Sequence, residues 1–65
     1  MKVLEQEFTT DDLGAIPWDK FEKGVYKILG VVEVKSGDKV QFYDLPFHLY
    51  LPKKHTKYRV EYAVK

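Results

Sequence analysis

From Lys57 to Val64 the chain alternates in steps of two. Tyr58, Val60, Tyr62 and Val64 fall on one parity, and Lys57, Arg59, Glu61 and Ala63 fall on the other. That period belongs to a strand with one apolar face and one wet face. The apolar side carries β-branched and aromatic types, which pack well on a pleated surface. Such a strand fixes the fold class, because it is not stable by itself. It needs neighbours to take its ladder hydrogen bonds and an apolar layer to cover its inner face.

The neighbours lie upstream. Val25 to Lys35 is a second strand-like run, with Tyr26, Ile28, Val32 and Val34 on one face and Val25, Lys27, Leu29, Val31, Glu33 and Lys35 on the other. Gly30 interrupts the Tyr26 row, and a glycine inside a long strand marks a bulge or a bend. Ser36-Gly37-Asp38 then leads into Lys39-Val40-Gln41-Phe42-Tyr43, and two such runs joined by a glycine-containing turn read as a hairpin. Residues 40–51 are apolar on both parities: Val40, Phe42 and Tyr50 on one, Tyr43, Leu45, Phe47, Leu49 and Leu51 on the other. Pro46 has no N–H to give a ladder. The segment therefore splits into strands 39–44 and 47–51, with a corner at Leu45-Pro46. Pro52 ends the second, and Lys53-Lys54-His55-Thr56 is a short basic loop into the last strand.

The first third reads differently. Lys2 to Thr9 suits a strand with Leu4 and Phe8 facing in, and Thr10-Asp11-Asp12 suits a turn or a helix start. Pro17 stands at a first helical position and Gly24 just past an end, which predicts a short helical turn near 17–23. Ile16, Trp18 and Phe21 would plug one end of the sheet. The expected fold is one domain over 1–65, mainly β. Four or five short antiparallel strands curl into a small OB- or SH3-like barrel, which also hides the unpaired edges of an open sheet.

A chain of 65 residues buries only about 60% of the surface its unfolded form exposes, so stability rests on an efficient core or on oligomerisation. There are no cysteines, which excludes disulfides and thiolate metal sites. His48 and His55 have no nearby His or Cys partner, so a zinc site is not expected. No cofactor is implied. Five Tyr, four Phe and one Trp supply large buried area per residue. No apolar run has the length of a membrane span, and the acidic N-terminus lacks a signal peptide's apolar stretch. The expectation is a soluble cytoplasmic protein.

Charge is divided along the chain. Residues 1–22 set six carboxylates against two lysines, a net of −4, while residues 23–65 set nine cations against four carboxylates, a net of +5. No phosphate-binding glycine loop, zinc-protease or serine-hydrolase motif occurs. Asp11 and Asp12 are adjacent and point apart, and the single serine, Ser36, sits in a turn with no implied base. Catalysis is not expected. The basic half suggests a polyanion instead. Lysines neutralise phosphates and aromatic faces stack on bases at about 1–3 kcal/mol each. The leading expectation is a non-catalytic nucleic-acid-binding protein, single-stranded nucleic acid favoured. Lys53, Lys54, Lys57 and Arg59 would contact phosphates, Tyr43, Phe47 and Tyr50 would stack or pack at the groove, and Lys27, Lys35 and Lys39 would extend it. The alternative is a protein-interaction module, either a homodimer or a small inhibitor or accessory factor on a larger protein, using the apolar 42–51 segment. The acidic third could imitate phosphates toward a DNA-binding partner. More plainly, it could pack beside the basic sheet and partly neutralise it.

Overall fold

A computed structural model describes residues 2–65. The chain is mainly β, with six short antiparallel strands: β1 (Lys2–Thr9), β2 (Ala15–Pro17), β3 (Val25–Glu33), β4 (Tyr43–Asp44), β5 (His48–Tyr50) and β6 (Lys57–Val64). They form two three-stranded sheets, ordered β1-β6-β3 and β2-β5-β4. The expected barrel does not close: among the described residues no ladder joins one sheet to the other. The two sheets face each other across a shared core instead. The helical turn contracts to one 3-10 turn, Trp18–Lys20, because Pro17 stays extended at φ −62° and ψ 145° and Phe21 is extended again at ψ 163°.

The alternating strand read at the C-terminus is β6, and it is the centre of the larger sheet. Tyr58, Val60, Tyr62 and Val64 are all buried. Ile28 and Val31 from β3, Ile16 from β2 and Leu49 from β5 complete the core, with Leu4 and Phe8 of β1 packed at its margin. Phe21 follows the 3-10 turn, and its ring lies 4.5 Å from Phe8 and 5.0 Å from Tyr62. Of the three residues expected as a plug, Ile16 and Phe21 are buried in the core and Trp18 packs partly buried against it. Burying tyrosines requires partners for their hydroxyls. The Tyr62 hydroxyl donates to Gln6 Oε1 and accepts the Glu22 N–H at 3.0 Å, and the Tyr58 hydroxyl accepts the Lys53 N–H at 3.1 Å.

β3 departs from simple alternation. Its pairing with β6 runs Val25↔Val64, Lys27↔Ala63, Ile28↔Tyr62, Gly30↔Glu61 and on to Glu33↔Tyr58, with register shifts at Tyr26 and Leu29. Each extra residue exchanges the two faces. The strand thus turns Ile28 and Val31 inward and Lys27, Gly30 and Val32 outward, rather than the faces expected above. It also stops at Glu33, which leaves Lys35 in the turn. The hairpin at Ser36-Gly37-Asp38 forms, with Glu33 N–H to Asp38 O at 2.9 Å, but its return arm makes only one bridge, Val32↔Lys39. The chain then leaves for the other sheet, so strand 39–44 reduces to Tyr43–Asp44. Strand 47–51 begins only at His48, because Pro46 and Phe47 occupy a tight turn closed by Leu45 N–H to His48 O at 3.0 Å. That turn places Tyr43 opposite Tyr50 and Asp44 opposite Leu49.

Sequence reasoning missed β2, and the chain leading into it is fastened by a polar knot. Thr10 is buried; its hydroxyl donates to Lys53 O at 2.8 Å and accepts the Thr56 N–H at 3.0 Å. Gly14 stands in the left-handed region at φ +75°, and a Cβ there would meet Leu51 O at 2.8 Å. Gly30 needs no such freedom, since a Cβ there meets nothing within 4 Å. We predict that Gly14→Ala lowers unfolding free energy by at least about 1–2 kcal/mol, the cost of a left-handed non-glycine residue. Gly30→Ala should change it by less than about 0.5 kcal/mol. Urea denaturation of the two variants distinguishes them.

Candidate functional site

The two sheets turn their inner faces to one core, so their outer faces point away from each other, and the expected site residues divide between them. On the outer face of the larger sheet, Lys57 lies opposite Thr9 and Arg59 opposite Glu7. Arg59 is ion-paired to Glu7 at 3.1 Å. Val32 lies between Arg59 and Lys39 in the same row. Lys27 is on that face too, but opposite Ala63 at the far end, with Glu61 in between. Among the described residues no continuous positive stripe forms.

Lys35, Lys53 and Lys57 do come together. With His55 they line an open concavity of about 840 Å³ at one end of the molecule. Glu33 is buried at its floor and takes the Lys53 ammonium at 3.3 Å. Lys54 stands exposed on the same loop. Thus the acidic third and the basic remainder meet through Glu7 and Arg59, while Glu33 tempers the basic concavity from within its own half.

The aromatics gather on the other sheet. Tyr43 and Tyr50 are cross-strand partners on its outer face, and His48 packs edge-on to Tyr50 at 5.6 Å. Phe47 projects from the turn between them. Tyr43, Leu45 and Phe47 are 64%, 48% and 79% exposed. The hairpin is fastened by Trp18, whose Nε1 donates to Leu45 O at 2.7 Å. Between the hairpin and the near end of β3 runs a groove of about 430 Å³, walled by Trp18, Tyr26, Leu45 and Pro46, with Lys27 and Asp44 at its rim. Sequence parity put Tyr26 on one face with Ile28, which is buried. The register shift beside it turns its ring outward, under the Lys65 ammonium at 5.6 Å from the ring centre. Gly30 signalled the strand's irregularity, but not a second shift four residues earlier.

Asp11 is a structural carboxylate. Its Oδ1 accepts the N–H groups of Ala15 at 2.9 Å and Leu13 at 2.8 Å. These bonds, the Ala15 one first, hold its pKa below the ordinary carboxylate value, with smaller help from His48 and His55. Among the described residues no three His, Cys, Asp or Glu side chains converge as a metal site.

A depressed folded pKa stabilises above the unfolded value of about 4 and loses that contribution as pH falls through the folded value. Asp11→Ala should therefore melt below wild type at neutral pH. The gap should persist down to about pH 4 and close at more acid values, as the wild-type carboxylate is itself protonated. Thermal melts across that range check it. No protein-family model matches the chain, and no curated protein or solved structure is significantly similar to it.

Proposed function

We propose that the protein is a non-catalytic interaction module that docks on a protein partner through the β4–β5 hairpin and the groove beside it. The observation that carries this reading is the exposure of Tyr43, Leu45 and Phe47 on one short hairpin. A surface lysine costs nothing, whereas leaving a large apolar side chain in water forgoes about 1.5–3 kcal/mol of burial. A domain this small has little burial to forgo. Contiguous exposed apolar surface with a polar rim is what protein contacts use, and Lys27 and Asp44 supply such a rim. The turn presents Phe47 from a rigid base, since the Trp18 bond and the Leu45–His48 closure fix the hairpin. A rigid aromatic anchor binds with little ordering cost.

Nucleic acid is the second reading, favoured by the gathering of Lys35, Lys53 and Lys57 and by the outward pair Tyr43 and Tyr50. Small OB-fold barrels, built from comparable short antiparallel strands, carry oligonucleotide sites on one strand face. It stands second because the cations and the aromatics occupy different parts of the surface. Stacking and phosphate contacts would then not act on the same few nucleotides.

The test compares two charge variants. Phe47→Asp removes the anchor, and the double variant Lys54→Glu with Lys57→Glu reverses the basic end. Both changes are on exposed side chains, so melting temperature should hold. The expected outcome is that a partner cross-linked by wild type is kept by the lysine variant and lost by Phe47→Asp, with at least about a tenfold loss of affinity for a removed anchor. If Phe47→Asp keeps every contact that wild type makes, the hairpin reading fails. Oligonucleotide titration at low salt decides the second reading, since the electrostatic contribution is greatest there. Sedimentation at micromolar concentration reports whether the partner is a second copy.

A further inference from the structure

We infer that the open edge of β1 takes an extended, basic segment of a partner protein as an added strand. This surface is separate from the hairpin. β1 is eight residues long and pairs with β6 in unbroken register, from Lys2↔Val64 to Thr9↔Lys57. Among the described residues nothing pairs with its other side. Among the described residues, no backbone hydrogen bond from residues 2–9 leaves the β1–β6 ladder. A long, regular, uncovered edge is a template for another chain, and native proteins blunt such edges with bulges, proline or a covering loop. β3, the opposite edge of this sheet, is blunted: it carries two register shifts, and the bridge to Lys39 covers its far end. Among the described residues β1 has no bulge, proline or covering loop; its charged Glu5 and Glu7 deter an acidic strand and leave the edge open to a basic one.

The charge on β1 selects the occupant. Glu5 lies directly opposite Glu61 across the ladder, and among the described residues neither is ion-paired, whereas Glu7 pairs with Arg59. Like charges directly opposite are destabilising, and opposite charges at that spacing are favourable. An added strand sets alternate side chains beside Glu5 and Glu7 on the outer face, where lysine or arginine relieves the repulsion. Its other side chains fall beside Leu4 and Phe8, which are only half-buried at the core margin. The fitting segment alternates basic with apolar residues, and main-chain bonds to the edge supply the rest of the affinity.

A second copy of this chain fits poorly. Two antiparallel registers give the longest overlap while keeping both cores on one side. One brings Glu5 against Glu5 of the copy, and the other brings Glu5 against Glu7.

The test is amide NMR on the full chain with a short capped peptide alternating lysine and valine, and its counterpart with glutamate for lysine. The lysine peptide should shift the resonances of residues 2–9 and slow their exchange. Binding should weaken several-fold on raising salt and several-fold in Glu5→Lys, with Glu5→Gln between. Retained dispersion of the resonances of the buried β6 residues Tyr58, Val60 and Tyr62 shows that the variants remain folded. Phe47→Asp should leave this binding intact, which separates it from the hairpin reading. No response of residues 2–9 at millimolar peptide overturns the inference, as does equal binding of the glutamate peptide or a response centred on residues 43–50.

Discussion

The burial of β6 on both sides and on one face is the constraint from which the rest of the molecule follows. As the central strand of its sheet it satisfies β1 and β3 together, and its inner row contributes more of the core than any other strand. Its two buried tyrosines also reach beyond the core. Tyr62 holds the backbone just before β3 through Glu22, and Tyr58 holds the basic loop through Lys53. A buried hydroxyl left unpaired costs about 1–3 kcal/mol, so each loop is tied to the strand by the strand's own need. The loops around the surfaces described here are positioned from the core outward.

That anchoring separates the chemistry of the surface. One end gathers lysines around the buried Glu33, one hairpin gathers aromatics, and the β1 edge gathers carboxylates. The division of charge along the sequence becomes a division in space. The ion pair of Glu7 with Arg59 is direct neutralisation where the acidic and basic parts touch. An exposed pair of that kind contributes only about 0–1 kcal/mol. Its larger effect is on the field that an approaching polyanion meets.

Much of the architecture was legible in the residues. The inner row of β6, the strand at Lys2–Thr9 with Leu4 and Phe8 inward, the irregularity at Gly30 and the turn at Gly37 all follow from period and residue type. The errors of facing share one cause. Periodicity counts residues, and each bulge or tight turn changes the count by an amount that no local pattern announces. The shift beside Tyr26 reversed the faces of β3, and the Pro46–Phe47 turn reset the parity that had set Tyr43 beside Leu49. The site was legible in part for the same reason. Tyr43, Tyr50 and Phe47 were expected together and lie on one hairpin, and Lys35, Lys53 and Lys57 meet at one end. That these two groups point to different parts of the surface depends on the pairing of sheets. β2 was missed because three residues show no period; it pairs with β5, and the turn before it is tied there by the Leu51 N–H to Gly14 O bond.

The pairing of Lys2 with Val64 and of Phe8 with Tyr58 sets how the chain must reach this state. The first strand waits for the last before it has any ladder partner, and β3 waits for the same strand. Closing such long loops must be paid in entropy before any contact rewards it, and β topologies dominated by non-local pairing fold in milliseconds to seconds. During synthesis the apolar rows of β1 and β3 emerge with nothing to cover them until β6 follows. Glu5, Glu7 and the two irregularities of β3 then act on the unfinished chain, keeping it from pairing wrongly while it waits.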